Sequence, residues 1–159
     1  MINNDFQNYL IQTKELFGDL LFLDEESVKD FIQYGDSNSK TVFIKKASSD
    51  SKEKVIFQNM LKALKLSMSQ ILVIDLINPG KLKSNKINNF LKKSQSNTII
   101  ILGLDIAQVI LEIKHDLDTL RMKDHTVYNK KVIPTYSLKD MVSEPHFKKY
   151  VWSDLKVIV

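Results

Sequence analysis

From Thr41 onward, short apolar runs alternate with segments in which apolar residues recur at helical spacing. TVFIKK (41–46) is a β-branched, apolar run and predicts a strand. ILVIDL (71–76) and NTIIILG (97–103) are near-continuous apolar runs, typical of parallel strands buried on both faces. KVIPTY (131–136) predicts the last strand. These four runs are the expected strands of one sheet.

Three helices are predicted between and after these strands. The first has these inward positions: Ile56, Phe57, Met60, Ala63 and Leu64. The second is marked by Ile87, Phe90 and Leu91, and the third by Ile106, Val109, Ile110 and Ile113. The stretch KHDLDTLRMKDHTVYNK (114–130) reads as a polar linker. Strands that alternate with helices imply right-handed βαβ units, so we expect a three-layer α/β/α sandwich with a roughly four-stranded, mainly parallel sheet.

The C-terminal stretch 138–155 predicts a short helical turn, a break and a terminal helix opened by Pro145. An apolar stripe follows the proline at three- and four-residue spacing: Phe147, Tyr150, Val151 and Leu155. Trp152 lies on a neighbouring face of this helix. The pattern therefore predicts a terminal helix that is buried on more than one side.

The N-terminal region allows two interpretations. Residues 4–17 have the pattern of an amphipathic helix ended by Gly18, and an acidic segment reads as a second short helix before Gly35. Both helices could pack on the domain, or residues 1–20 could form a detachable arm whose aromatic side chains dock on another protein. We divide the chain into an arm at 1–22 and a single α/β domain at 23–159.

Composition excludes several classes of protein. The chain has 159 residues, 43% of them hydrophobic and 26% charged, as expected for one globular domain. The absence of cysteine excludes disulfides and thiolate metal sites. No apolar run approaches the ~20 residues of a membrane span, and the N-terminus lacks a secretory signal. We therefore expect a cytoplasmic protein.

Charge is distributed unevenly along the chain. Residues 1–36 hold two lysines against eight acidic residues, a net charge of −6, whereas residues 37–96 hold twelve lysines against three acidic residues, a net charge of +9. Such asymmetry raises the possibility of nucleic-acid binding. However, Arg121 is the single arginine, and arginine is the preferred residue for reading bases. We interpret the lysines as solvated helix faces and expect no direct DNA contact.

No catalytic or cofactor site emerges from the motifs. The loops after the first two predicted strands fit neither the P-loop nor the dinucleotide-binding pattern. Asp75 lies near the carboxyl end of a strand, where we expect it to cap a loop. A group of acidic residues and histidines falls in the polar linker, and its spacing favours a solvated loop over a metal site: His115, Asp116, Asp118 and His125. We expect no enzyme and no cofactor.

Two resemblances extend this picture. LGLDIAQVIL, the strand ending Pro134-Thr135-Tyr136 and the helix with VWSDLK resemble uracil-DNA glycosylases of the iron–sulfur type. Those enzymes place a histidine directly after the last strand and a water-activating Gly/Pro-rich loop after the first. Ser137 stands where that histidine would be, and no cysteine is present to hold a cluster. The resemblance therefore implies the glycosylase fold without its active site.

The second resemblance is to the psi subunit of the bacterial DNA polymerase III clamp-loader complex. The signature residues of that family's C-terminal region match at the same spacing: Leu138, Asp140, Pro145 and Trp152. MLKALKLSMSQILVIDL is similar to the family's helix, Ser-containing turn and strand, and Asp5-Phe6-Gln7 to its acidic–aromatic start. The psi subunits themselves resemble uracil-DNA glycosylases in fold.

Membership of this family would make the chain a non-catalytic bridge between two partners. An N-terminal peptide binds the collar of the clamp-loader ATPase, and the globular domain holds the chi subunit, which contacts single-stranded-DNA-binding protein. The anchors implied in the arm are Phe6, Tyr9, Leu10, Leu16 and Phe17. Two alternatives remain: a catalytically degenerate glycosylase-like protein that binds DNA, and a small α/β protein that oligomerises through its N-terminal helix.

Overall fold

The computed structural model describes residues 21–22, 30–79 and 84–159. Within them, seven strands form one sheet: β1 (Leu21–Phe22), β2 (Phe31–Gly35), β3 (Thr41–Lys46), β4 (Leu72–Leu76), β5 (Thr98–Leu102), β6 (His125–Val127) and β7 (Lys130–Thr135). The same residues form six α-helices: α1 (Ser51–Ala63), α2 (Ser84–Lys93), α3 (Leu104–Leu111), α4 (Leu117–Arg121), α5 (Leu138–Ser143) and α6 (Phe147–Leu155). The fold is mixed α/β.

The sheet is mixed rather than mainly parallel. Its strand order is β1-β2-β4-β3-β5-β7-β6. The four central strands β4, β3, β5 and β7 are parallel, whereas β2 pairs antiparallel with β4 and β6 antiparallel with β7. The prediction of roughly four strands was therefore too small, because both edges of the parallel group are covered by strands that the sequence did not reveal.

Helices cover both faces of this sheet. Because side chains alternate along a strand, β3 sends Phe43 to one face and Val42 and Ile44 to the other. Phe43 belongs to a buried cluster shared with α1, α5 and α6, in which it packs edge-on against Phe57. The opposite cluster is shared with α2, α3 and α4. Central strands covered in this way have no solvent-exposed face, which explains their continuous apolar sequence.

Three expectations about local structure were wrong. Residues 31–35, expected to be helical, form strand β2, and the predicted polar linker contains α4 and β6. In α1, Ala63 is exposed, while Leu61, which is not among the predicted inward positions, is buried. The strands and helices predicted between residues 41 and 113 are otherwise confirmed within a few residues at their ends, whereas the helix predicted at 4–17 lies outside the described residues.

The C-terminal helix is buried on one side only. Val151 and Leu155 are the buried residues of α6, whereas Trp152 is 45% exposed, so the expectation of burial on several sides was wrong. The helix begins at Phe147, which places Pro145 ahead of it and not within its first turn. A tryptophan this exposed contributes little to the core.

Gly35 ends β2 in a conformation that other residues rarely adopt. Its φ is +98°, and a Cβ atom there would lie 2.3 Å from the Ile71 carbonyl oxygen. The neighbouring Asp36 N–H donates to that same oxygen at 2.8 Å. The absence of a side chain at Gly35 therefore lets the β2–β3 turn pack directly on the backbone that precedes β4.

Candidate functional site

The topology creates a crevice between β3 and β5. The crossover from β3 to β4 runs through α1 on one face of the sheet, and the crossover from β4 to β5 runs through α2 on the other. Ligands of open α/β sheets bind where crossovers diverge in this way, outside the carboxyl ends of the strands. A cleft of about 690 Å³ opens at this position.

The cleft is lined by charges of both signs. Its lysines are Lys45, Lys46 and Lys139, and its carboxylates are Asp50, Glu53, Asp105 and Asp140. Several of the carboxylates already have structural partners: Asp50 accepts the Lys52 N–H at 2.8 Å at the start of α1, and Glu53 accepts the Ser48 hydroxyl at 2.7 Å. A lining this balanced does not select an anionic ligand.

A buried polar network lies beside the cleft. Lys45 and Asp75 face each other across β3 and β4, with Nζ 2.8 Å from Oδ1. The Tyr34 hydroxyl donates to Asp75 Oδ2 at 3.0 Å from β2. Asp75 is fully buried and does not cap a loop, so that expectation was wrong. Its carboxyl group instead joins three adjacent strands.

Burial changes the proton affinity of each group in this network. Burial lowers the pKa of Lys45 to about 7, partly opposed by the nearby Glu53 carboxylate. Burial also raises the pKa of Asp75 well above its usual range, and that of Tyr34. Among the described residues, no donor other than Lys45 reaches Asp75 Oδ1. The pair can therefore hold one proton on either Nζ or Oδ1.

Ser137, the residue that the glycosylase resemblance puts in place of a histidine, has a structural role. Its Oγ accepts the Asp140 N–H at 3.0 Å, and Asp140 Oδ2 accepts the Ser137 N–H at 3.2 Å. This reciprocal pair is a capping box that starts α5. The Ser137 hydroxyl lies at the cleft, but its oxygen is occupied by the helix start.

A second polar cluster joins α4 to α6 over the end of β7. Arg121 donates through Nε to Asp154 Oδ2 at 2.7 Å and through Nη2 to Oδ1 at 3.2 Å. The Thr135 hydroxyl donates to the same Oδ2 at 2.6 Å. The Arg121 guanidinium also lies over the rings of Tyr136 and Tyr150, 5.0 and 5.1 Å from their centroids. The arrangement is a fork of hydrogen bonds between two helices.

The structure does not gather the family-signature residues into one site. Leu138 is buried in the core, Asp140 caps α5, and Pro145 and Trp152 are exposed on the surface. The five predicted arm anchors lie outside the described residues: Phe6, Tyr9, Leu10, Leu16 and Phe17. Leu138 and Asp140 therefore have structural roles, whereas Pro145 and Trp152 lie at the surface outside the core.

The histidines and acidic residues of the predicted linker do not form a metal site. Asp116 begins α4 by accepting the Thr119 N–H at 2.7 Å, and the His125 ring contacts the Leu120 carbonyl oxygen at 2.7 Å. Over the ranges 30–79 and 84–159, no group of three potential ligands could hold a metal ion. In the described part of the chain, no helix is long and apolar enough to cross a membrane.

No protein-family model matches this sequence, and no curated protein matches it.

Proposed function

We propose that this protein is a non-catalytic accessory subunit of the bacterial DNA polymerase III holoenzyme that resembles the psi subunit. In this role it bridges the clamp-loader ATPase to the chi subunit, and through chi to single-stranded-DNA-binding protein, in the cytoplasm. The N-terminal arm binds the ATPase collar, and the α/β domain holds chi. Direct contact of this bridge with DNA is not required.

The observation that carries the proposal is the capping box of Ser137 and Asp140. The carboxyl end of the last parallel strand is where a glycosylase of similar architecture needs a histidine that is free to act on its substrate. Here Ser137 occupies this place, and its Oγ accepts a hydrogen bond from the Asp140 N–H of α5. The cleft beside it combines this serine with loops whose carboxylates hold local structure. A binding role fits this arrangement better than a catalytic one.

We also assign the domain to a three-layer α/β/α sandwich of the uracil-DNA glycosylase type. The parallel strands run in the spatial order β4-β3-β5-β7, so the first parallel strand lies inside the group. Helices cover both faces of this group. These features support the same fold for a psi-like subunit and for the glycosylases.

Deletion of residues 1–20 tests the bridge. Purified full-length protein should bind the clamp-loader ATPase, and the truncated protein should lose this binding while it still binds chi and unfolds cooperatively. As matched substitutions, Phe6→Ala with Phe17→Ala should weaken ATPase binding, whereas Lys14→Ala should not. Full ATPase affinity in the truncated protein would refute the arm assignment, and absence of ATPase and chi binding by the intact chain would refute the proposed function.

The position of the cleft favours one alternative, a catalytically degenerate glycosylase-like protein. The cleft lies outside the carboxyl ends of β3 and β5, where ligand sites of α/β sheets are found. Binding of a uracil-containing oligonucleotide that is blocked by substitutions at the cleft would favour this alternative. Sedimentation of the full chain at several concentrations tests the third possibility, self-association through the N-terminal helix.

A further inference from the structure

Exposed lysines gather at the amino ends of the central parallel strands, at the end of the sheet opposite the cleft. Lys40 directly precedes β3, Lys131 is the second residue of β7, and Lys92 and Lys93 end α2. All four are exposed. They come from three separate parts of the sequence and meet at the amino ends of the parallel strands. We refer to these four residues as the lysine edge.

The loop at 94–97 holds these segments together. The N–H groups of Asn97 and Thr98 donate to the Lys40 carbonyl oxygen at 2.9 and 3.1 Å, and the Lys131 N–H donates to the Asn97 carbonyl oxygen at 2.9 Å. Lys130 Nζ donates to the Ser94 and Ser96 carbonyl oxygens at 2.8 and 2.5 Å from below the loop. Backbone hydrogen bonds to residues 97 and 98 therefore fix Lys40 and Lys131 relative to each other.

The charge of the lysine edge is not neutralised within the described residues. None of its four lysines has a carboxylate partner there. The nearest acidic residue along the chain, Asp36, accepts the Asn38 N–H at 2.9 Å in its own turn. The last turn of α1 and the segment that follows it bring Lys62 and Lys65 to the same end of the sheet. This end of the molecule is therefore strongly basic, in contrast to the mixed charges of the cleft.

Helix electrostatics explain only part of this arrangement. Lys92 and Lys93 lie in the last turn of α2, where a positive charge favourably meets the helix dipole. Lys40 and Lys131 belong to a loop and a strand, so the dipole gives no reason for their exposure at the same edge. A cluster of positive charges at one end of a sheet matches a polyanionic partner.

We propose that the lysine edge binds the phosphodiester backbone of a nucleic acid. Tyr128 lies beside it in the β6–β7 turn and is 42% exposed, which offers a ring on which an unpaired base can stack. This inference departs from the expectation of no direct DNA contact. It is independent of the proposed bridging function, and it gives such a subunit a second, sequence-independent hold on a replication substrate.

Salt-dependent binding of labelled oligonucleotides by the full-length chain tests this inference. We compare the wild type with Lys40→Gln/Lys93→Gln/Lys131→Gln, and with a control triple on other surfaces, Lys52→Gln/Lys148→Gln/Lys156→Gln. Both triples remove three positive charges from exposed positions. Single-stranded and duplex oligonucleotides are measured by fluorescence anisotropy at several salt concentrations, and melting temperatures establish that both triples fold.

We expect the lysine-edge triple to lower affinity at low salt by on the order of 10-fold, and to reduce the salt slope by about 2 for a single strand. The control triple should change affinity less than about 2-fold. Tyr128→Ala should weaken binding of the single strand more than binding of the duplex.

Equal losses of affinity in both triples, or no binding by the wild type, would overturn the proposal. The proposal would also be overturned if poly-glutamate displaced the labelled oligonucleotide as effectively as unlabelled oligonucleotide does. The lysine edge would then fit an acidic protein. If the edge triple fails to fold, the single variants Lys93→Gln and Lys148→Gln make the same comparison.

Discussion

Lys45 Nζ lies 2.8 Å from Asp75 Oδ1 across two parallel strands, and the two side chains are only 10% and 1% exposed. Buried ion pairs give little net stability, because the two charges lose their hydration, but the loss of one partner is costly. The pair is therefore expected to show strong energetic coupling between its members.

A double-mutant cycle measures this coupling. Lys45→Met leaves Asp75 without its cation and should lower the free energy of unfolding by about 3 kcal/mol. Asp75→Asn keeps an acceptor for the Tyr34 hydroxyl but leaves Lys45 unpaired, and should also destabilise. The double variant Lys45→Met/Asp75→Asn should be more stable than the sum of the single losses predicts, as measured by urea denaturation. Strictly additive losses would contradict a buried pair.

The pH dependence of stability should differ among these variants. In Asp75→Asn, burial still lowers the pKa of Lys45, which is about 7 in the wild type, below its ordinary value of 10.5. Between these values the unfolded chain binds a proton that the folded chain lacks, so stability should rise with pH, by at most about 1.4 kcal/mol per pH unit. In Lys45→Met, burial keeps the pKa of Asp75 raised, so the folded chain binds the extra proton. Its stability should fall as pH rises above about 4.

The wild type should show neither slope near neutral pH, because the folded pair and the unfolded chain each hold one proton. Urea denaturation from about pH 5, above the ordinary pKa of aspartate, to about pH 9.5, below that of lysine, checks all three proteins. A wild-type slope as steep as that of Asp75→Asn would refute the shared proton.

The fork between Arg121 and Asp154 should be sensitive to geometry as well as charge. Arg121→Lys keeps the positive charge but cannot donate in parallel to both carboxylate oxygens, and it loses contact with the Tyr136 and Tyr150 rings. We expect a loss of about 2 kcal/mol, visible as a lower melting temperature. Arg121→Lys melting at the wild-type temperature would show that charge alone holds α4 to α6.

Truncation to alanine should destabilise the protein to very different extents at two residues of α6. Leu155 is fully buried, so Leu155→Ala should cost about 2–5 kcal/mol of unfolding free energy. Trp152→Ala should cost about 1 kcal/mol or less, because the side chain is 45% exposed. Thermal or urea unfolding of the two variants checks this order. A larger loss at Trp152 would mean that its ring is covered in the folded protein.

Gly35 should tolerate a methyl group less well than Gly103. Both have φ in the range that disfavours other residues, +98° and +134°. A Cβ at Gly35 would clash with the Ile71 backbone, whereas one at Gly103 would lie 3.6 Å from Ser137 Cβ, an ordinary contact. We expect Gly35→Ala to lose about 2 kcal/mol or more and Gly103→Ala clearly less. Equal losses in urea denaturation would indicate that φ alone sets the cost.

The sequence predicts the central strands well because burial on both faces leaves a continuous apolar run, as in β4 and β5. It predicts the edges poorly. Strand β2 follows an acidic segment and was mistaken for a helix, although its aromatic and β-branched residues and its final glycine are strand signals. Strand β6 has only three residues, none of them fully buried, and is too short to show an alternation of apolar and polar positions.

The candidate site was less predictable than the fold. Lys45 and Asp75 are 30 positions apart, and only the parallel register of β3 and β4 brings them together. One signal was present: Asp75 interrupts an otherwise apolar strand, and buried aspartates and lysines are usually paired. The lysine edge likewise depends on strand order, since Lys131 lies outside the lysine-rich segment.

The antiparallel pairing of β2 with β4 sets a limit on how far the chain can be shortened from its N-terminus. All five residues of β4 are buried, and β2 supplies the hydrogen bonds on one of its sides. A truncation that stops before Asp30 leaves this partner in place. One that continues past Gly35 would strip it away and present an apolar strand with unpaired N–H and C=O groups to other molecules. Such a fragment should aggregate or recruit the β2 segment of another chain, and its failure to bind a partner would then report damage to the sheet.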